Sequence, residues 1–586
     1  MGLIDWLILA VGLAGMAGLG LWTARGVRRL DDFLLAGRRY RGPALALFHS
    51  GNPMQKLSSI TARMFQVGLA GLWYEFIYLA ALPFWWIIGP VVRRLRIATT
   101  ADLFERRFHP ATVWLYVAFA VITCILSTTV WLVGVRKLIE LMAGSDLAWQ
   151  PMLSVIMGVS LLAVWAGGFR AVVVTGITRG LLMLLLTAAG VWLVFGQGMG
   201  PAAIHAGNEA LAAQRPELLS LRLTEEVFVA LARTPMTPLF VAMMVATMAA
   251  GSIVGPMAAS SYGCARSERA TALGVVSGGL IKRACVVAWA FLGLAWVAQY
   301  ATPDVLAADP TGPGATLFAD GLFAQASHDL TATVGNGAAG LLWVALAWAA
   351  VEGCAAPLMV AGGLISRNLY QRFLRTGRPE DHYLRIARWI GLACAVPAVL
   401  LAFAFNNLVD LIEILIALPG AIGLGVWLAL CWRRYTTWGL LVSTLGAYAV
   451  WICLEWQQGV TLVQRVFPSA VTVIKGKLEL NDGWIMLTYM SVAMVLGIVT
   501  SLLTRPEPRE KLDAFYRVLR TPAAGPEPTG QTLGDAGTSP ASPIRKLIDH
   551  PDLEIPVPSP RMMLGLAATV CAGIGIVAMT WWLAQR

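Results

Sequence analysis

Two basic side chains stand where a membrane-spanning stretch would hold them at a cost. The stretch from Pro43 to Ala70, PALALFHSGNPMQKLSSITARMFQVGLA, is long enough to cross a bilayer and lies between two apolar segments, yet it contains Lys56 and Arg63. Against hydrocarbon each would cost roughly 2.5–3.5 kcal/mol. Ser50-Gly51-Asn52-Pro53 breaks the helix near its middle, because proline has no amide hydrogen to give and clashes with the preceding turn. Irregular backbone survives at that depth only inside protein or beside a water-filled cavity. Freed backbone groups next to a cation are the equipment for holding a small polar solute or an ion. A cation there favours an anionic, carboxylate-bearing solute unless a neighbouring carboxylate neutralises it. His49, one residue before the break, suits a proton relay; packing is the commoner use of such a histidine. Arg63 lies toward the outer end of its helix, from which its long side chain can reach the headgroup region.

A second helix is interrupted in the same way. In TPLFVAMMVATMAAGSIVGPMAASSYG the apolar run is broken by Gly251-Ser252 and Gly255-Pro256, five crossings after the first break. Matched interruptions in successive five-helix units point to an inverted repeat with a site between the breaks. The plainer alternative is a pair of ordinary proline and glycine kinks.

The elements that must position these breaks are membrane helices. With 58% apolar and 13% charged residues and a mean hydropathy of +0.68, the chain is an all-α polytopic membrane protein. A bilayer-length window gives fourteen spans: 3–23, 43–70, 71–92, 112–140, 150–166, 171–197, 237–262, 270–299, 337–366, 387–405, 408–431, 436–455, 483–503 and 562–583. Thirty of the 44 basic residues fall in the loops after the odd-numbered spans, and seven on the other side. That bias places both termini outside and those loops in the cytoplasm of a bacterial inner membrane. It also assigns the net charge of +11 to loops beside lipid and removes the case for nucleic acid as a partner. The eight cysteines are scattered through apolar stretches without metal-ligand spacing, so neither a disulfide framework nor a metal site is expected. The first residues lack a basic start and a small-residue cleavage site and read as a retained helix.

Outside the membrane no stretch is patterned for a catalytic domain, and no phosphate-binding loop or kinase motif occurs, so no enzyme and no cofactor are expected. The segment 300–336 carries Asp304, Asp309, Asp320 and Asp329 without Lys or Arg and reads as a solvated outer loop. Trp73, Tyr74 and Glu75 would line an outer vestibule, with the rings in an interfacial belt. Lys282-Arg283 would be anchors or a helix pair. The domain reading is 1–42, a peripheral helix and loop; 43–197 and 237–431, two repeats separated by the outer loop 198–236; 432–504, peripheral helices; 505–560, a disordered tail rich in Pro, Gly, Ser and Thr; and 561–586, a last helix.

Short motifs in order add a family. Asp32-Phe33-Leu34-Leu35-Ala36-Gly37-Arg38, the stretch Thr100 to Phe108, Gly167-Gly168-Phe169-Arg170, Ala265-Arg266-Ser267-Glu268-Arg269-Ala270, Asn368-Leu369-Tyr370 and Trp432-Arg433-Arg434 resemble the loops of the sodium:solute symporter family, which includes sodium/glucose, proline and sialic acid transporters. The resemblance covers about residues 1–520. It implies a leucine-transporter-type core of 5+5 inverted repeats with peripheral helices, and symport of a small organic solute by alternating access. It places solute contacts at Asn52, Lys56 and Ser252. The coupling-ion region falls at Ser50 and Pro53 on the first core helix and at Glu352 and Gly353 on the eighth.

The chain departs from the family there. Hydroxyl and carbonyl oxygens suit sodium, but counting back from Asn368 puts Glu352 and Gly353 at the two hydroxyl positions. On the fifth helix an expected Asp is Gly176, with Arg179 nearby. The reading is that Lys56 and Glu352 pair in place of sodium, with Glu352 a proton carrier or the pair a fixed latch; the alternative is that Glu352 neutralises a neighbouring Arg or faces a water pocket. Two functions follow: a secondary transporter of a small organic solute driven by sodium or by a proton, or with no coupling ion, or a transporter fold that serves as a sensor or as a subunit of a membrane complex.

Overall fold

The computed structural model describes all residues except 1, 52–55, 144–148, 197–199, 215–235, 310–311, 405–407, 475, 524–545 and 585–586. The chain opens with α1 (Leu3–Ala24) and the short α2 (Leu30–Leu35). The first broken span consists of α3 (Gly42–Ser50) and α4 (Lys56–Val67), followed by α5 (Trp73–Ala81) and α6 (Trp85–Leu95), which are joined by a single turn containing Pro83. After α7 (Ala101–Arg107) come α8 (Ala111–Ala143), α9 (Trp149–Gly196) and α10 (Gly200–Gln214). The second broken span is α11 (Pro238–Gly251) and α12 (Ala258–Gly263), with α13 (Glu268–Tyr300) behind it. Next are α14 (Pro303–Ala307), α15 (Pro313–Val334), and α16 (Ala338–Leu364), whose end widens into π-helical turns over Ile365–Leu374. Then follow α17 (Glu380–Ala404), α18 (Leu408–Cys431), α19 (Thr437–Glu455) and α20 (Gln457–Val466). A hairpin of β1 (Val471–Ile474) and β2 (Lys477–Leu480) leads to α21 (Asp482–Leu503), α22 (Arg509–Arg520) and α23 (Pro560–Ala584).

Each of the fourteen expected spans has a helix or a broken helix in its place, and ten described stretches are long and apolar enough to cross a membrane unaided. The spans 150–166 and 171–197 join into α9 across Gly168, whose φ of +58 turns the chain between them. Only glycine fits, since a Cβ there would also meet the Phe33 carbonyl oxygen at 2.7 Å.

The core is built from the helices that flank the breaks. Helix α13 runs along α3, α4 and α6, while α16 packs against α8, α9 and α17. Helix α16 is buried almost throughout, as expected of a helix that is apolar on every side. Helices α19 and α21 pair at the periphery, and α1 rests on α9 and α16.

The basic loops gather at one end of the molecule, and their arginines close helix ends. A guanidinium satisfies terminal carbonyls and the negative end of the helix dipole together. Arg93 donates to the Ala265 carbonyl (2.8 Å) and Arg38 to that of Arg96 (2.9 Å). Buried Arg107 serves four carbonyls at the end of α18, that of Ala429 in its last turn and those of Trp432, Arg433 and Tyr435 just beyond it, at 3.0–3.2 Å. A lysine has three donors on one nitrogen and cannot spread over that set. Arg107→Lys is therefore expected to destabilise the protein by about 1.5–3 kcal/mol, measured by unfolding in detergent micelles.

Three expectations away from the breaks are corrected. Residues 300–336 are not a plain solvated loop: α15 packs on α4 and α16, burying Ala319, Leu322 and Phe323, and Asp329 accepts from Trp296 (3.2 Å) and Tyr300 (2.6 Å). Glu75 does not line a vestibule but is buried against Arg283 of α13 (3.2 Å), which makes Arg283 a helix pair. The 505–560 segment is not disordered as a whole, because α22 forms within it and buries Leu512, Phe515 and Tyr516.

Candidate functional site

The first break leaves α3 ending at Ser50 against the middle of α9. Two glycines make this approach. A Cβ on Gly180 would stand 2.1 Å from the Leu47 carbonyl oxygen, and one on Gly51 would stand 2.7 Å from the Gly180 amide nitrogen. Backbone thus touches backbone where helix α3 ends, and Arg179 is held beside that end, its Nε 3.0 Å from the Gly51 Cβ position. The last carbonyls of a helix attract a cation.

Across from it is Glu352 of α16. Arg179 Nη1 lies 2.8 Å from Glu352 Oε2, and Nη2 donates to Oε1 at 3.0 Å, a two-pronged contact between side chains about 1% and 5% exposed. Only the Nη2–Oε1 prong is aligned as a hydrogen bond; Nη1 and Oε2 are held at ion-pair distance. Glu352 therefore neutralises an arginine, the alternative weighed from the sequence. Lys56 begins α4, but its side chain lies outside the described residues, as do Asn52 and Pro53.

The neighbouring positions close around the pair. Gly353 packs under the Trp131 ring of α8, so closely that a Cβ would come within 2.1 Å of it. The second hydroxyl position of a sodium site is filled by an indole. Gly176, where an Asp was expected, faces Phe48, and its Cβ position is 3.3 Å from Glu352 Oε2. A second carboxylate at that place would repel the first. Ser50 is buried and donates to its own helix at Leu47 (2.9 Å). Ser252, half-buried, likewise donates to Met248 (2.5 Å). Neither hydroxyl is directed at the pair.

The second break is tied to α7 and α8. Tyr116 donates to the Val254 carbonyl (2.9 Å) and Thr100 to that of Gly255 (3.3 Å). Two carbonyls freed by the interruption are thus taken up by protein. His49 is half-buried between rings, edge-on to Phe48 at 4.8 Å and tilted toward Tyr262 at 6.4 Å, as a packing histidine would be. Arg63 lies over the Tyr74 ring at 4.5 Å.

At the basic end two of the recognised motifs meet. Asn368 donates to Asp102 (2.8 Å) and receives from Thr99 (2.7 Å), while Arg367 joins Asp31 (2.7 Å) to Asp102 (3.5 Å). Burial would raise the Asp102 carboxyl, but Arg367, Arg106 and the Asn368 amide hold it well below the ordinary range. These groups wall a cavity of about 370 Å³.

Comparison with known proteins follows these features. A Na+-coupled sialic acid symporter, solved in a substrate-bound outward-open state, superposes with a TM-score of 0.65 at 17% identity, covering 86% of this chain and 98% of that one. MHP1, a nucleobase-cation-symport-1 family transporter in a closed conformation with bromovinylhydantoin bound, gives a TM-score of 0.49 at 13% identity over 84% of this chain and 99% of its own. The first likeness shows a shared leucine-transporter-type fold. No curated protein sequence matches the chain. The model of the sodium:solute symporter family matches residues 33–446. The chain, with its two broken helices and its arginine-capped loops, belongs to the sodium:solute symporter family.

Proposed function

We propose that this protein carries a small organic anion across the membrane by alternating access, with Arg179 and Glu352 standing in the place of a coupling sodium ion. The observation that carries the reading is the buried two-pronged pair at the meeting of α3, α9 and α16. Its guanidinium sits at the carbonyl end of α3 with Glu352 as its counter-charge, and the residues that would offer sodium its hydroxyls are Glu352 and Gly353. With Glu352 engaged, the charge of Lys56 and the amide-rich start of α4 remain for a solute carboxylate. Asn52 and Ser252 belong to the same proposed solute region, Ser50 and Pro53 to the ion region, and sodium has no role.

The repeats are assigned to 43–197 and 237–431, which rock against each other around the breaks. The basic end is assigned to the cytoplasm of a bacterial inner membrane, with both termini outside. The test is a thermal-shift screen of small carboxylates on the purified protein, in sodium and in potassium buffers at two pH values. Stabilisation by a carboxylate is expected with the same midpoint concentration in both salts. A tenfold tightening by sodium would sink the reading. If no solute shifts the protein in any buffer, the role of a sensor or complex subunit takes its place.

A further inference from the structure

The transport reading leaves unused the polar groups of the C-terminal part of the chain, which returns over the basic ends of the membrane helices. At one end it holds α6 and α13. Glu268, the first residue of α13, receives from Arg94 at 2.6 and 2.9 Å; its carboxylate also accepts from the Ala523 amide (2.6 Å) and its own amide donates to the Ala523 carbonyl (3.2 Å), while Arg96 donates to the carbonyls of Thr521 (3.2 Å) and Pro522 (3.1 Å). At the other end it holds α18. Tyr516 donates to the Ala429 carbonyl (2.6 Å), and residues 552–554 lie along the end of α18, with the Arg433 amide donating to Asp552 and the Glu554 amide to Cys431, both at 2.8 Å.

Arg433 is the hub of the second end. It reaches Asp513 of α22 (2.7 Å) and Glu554 (2.6 Å) and lies over the Tyr516 ring at 4.8 Å; Arg520 closes on Glu554 from α22 at 2.5 Å. Burial would raise the Glu554 carboxyl, but Arg520 and Arg433 hold it below the ordinary range, so it is charged at neutral pH.

We propose that this strap, α22 with residues 521–523 and 546–556, is a latch across the basic mouth of the transporter that opens at Arg433 when the helices rock. Helices α6 and α13 pack on each other, with α13 also along α3 and α4, whereas α18 packs on α11, α19 and α8, so the strap ties two groups of helices together. Bonded to both groups through the stretch from Asp513 to Ala523, most of it helical, the strap holds them at one spacing until one set of bonds releases. It must release at its weaker end. Asp513 is more than half exposed and Arg433 a fifth exposed, and ion pairs open to water hold least. The inference rests on the alternating-access reading, but its test needs no solute, so a failed latch and a failed transport reading are told apart.

The experiment is hydrogen exchange by mass spectrometry on the full-length protein, comparing wild type with Glu554→Gln and Arg433→Gln. Both variants are expected to exchange at least tenfold faster over 429–436 and 509–516, with 92–96 and 266–270 unchanged. Spin labels at Ala514 and Trp438 should then report a second, longer distance that grows in both variants. The latch is overturned if both ends loosen together, or if the variants lower the melting temperature while exchange and distance stay as in wild type; either result describes a static staple.

Discussion

Replacing Arg179 with methionine is expected to cost about 3–5 kcal/mol of stability, because it strands the Glu352 carboxylate in the protein interior without its counter-charge. Glu352→Gln should cost a similar amount by stranding the guanidinium beside Gly51. The informative variant is the double one. If the two groups matter chiefly to each other, Arg179→Met with Glu352→Leu removes both desolvation penalties and returns the protein to within about 1 kcal/mol of wild type, or above it. Denaturant unfolding in mixed micelles measures all three. Equal losses in the single and double variants would mean that the pair is not the source of the effect. Stability and transport should also part company in this series, since the double variant keeps the fold but has no positive charge at the end of α3.

The second large effect is expected at Gly180. Its Cβ position lies 2.1 Å from a backbone oxygen of α3 and 2.9 Å from the Ser50 hydroxyl, so Gly180→Ala forces the two helices apart and cannot be relieved by a side-chain rotation. A loss of about 3 kcal/mol or more is expected, at the upper end of overpacking costs. Gly134→Ala on α8 is the control, because nothing lies within 4 Å of its Cβ position. It should change stability by about 0.5 kcal/mol or less. A tolerant Gly180→Ala would show that α3 and α9 are not in backbone contact where the pair is held.

What the sequence disclosed and what it hid divide along a physical line. Helix breaks are written locally, by a proline and its neighbours, so Ser50 to Pro53 and Gly251 to Pro256 were legible as interruptions. The clustering of basic loops at one end was legible for the same reason, since arginines at helix ends sit beside the spans they cap. The partner of Glu352 was not. The membrane spans hold several carboxylates, among them Glu75, Glu352, Asp410 and Glu413, and several cations, among them Lys56, Arg63, Arg179, Lys282 and Arg283, and nothing in their spacing says which meets which. Arg179 lies 173 positions from Glu352 and meets it through tertiary packing alone. The need for some cation was the only signal available, and it led to Lys56. Trp131 against Gly353 had no signal, because a glycine in a membrane helix is common. Helix α22 was missed for a different reason. Leu512, Phe515, Tyr516 and Leu519 follow helical spacing, but they were averaged into a tail whose remainder is proline, glycine and serine.

The pair of Arg179 and Glu352 has one more consequence, for the membrane voltage. A transporter that carries sodium inward moves one elementary charge per ion per cycle and draws roughly 2.3 kcal/mol for every 100 mV. A guanidinium bonded to its own chain is not carried across, and in this structure the carboxylate beside it balances its charge. Under the proposed function the pair itself draws no work from the potential. Under the proposed function a solute carrying its own negative charge is pushed outward by a negative interior, a force that favours export or the exchange of one anion for another.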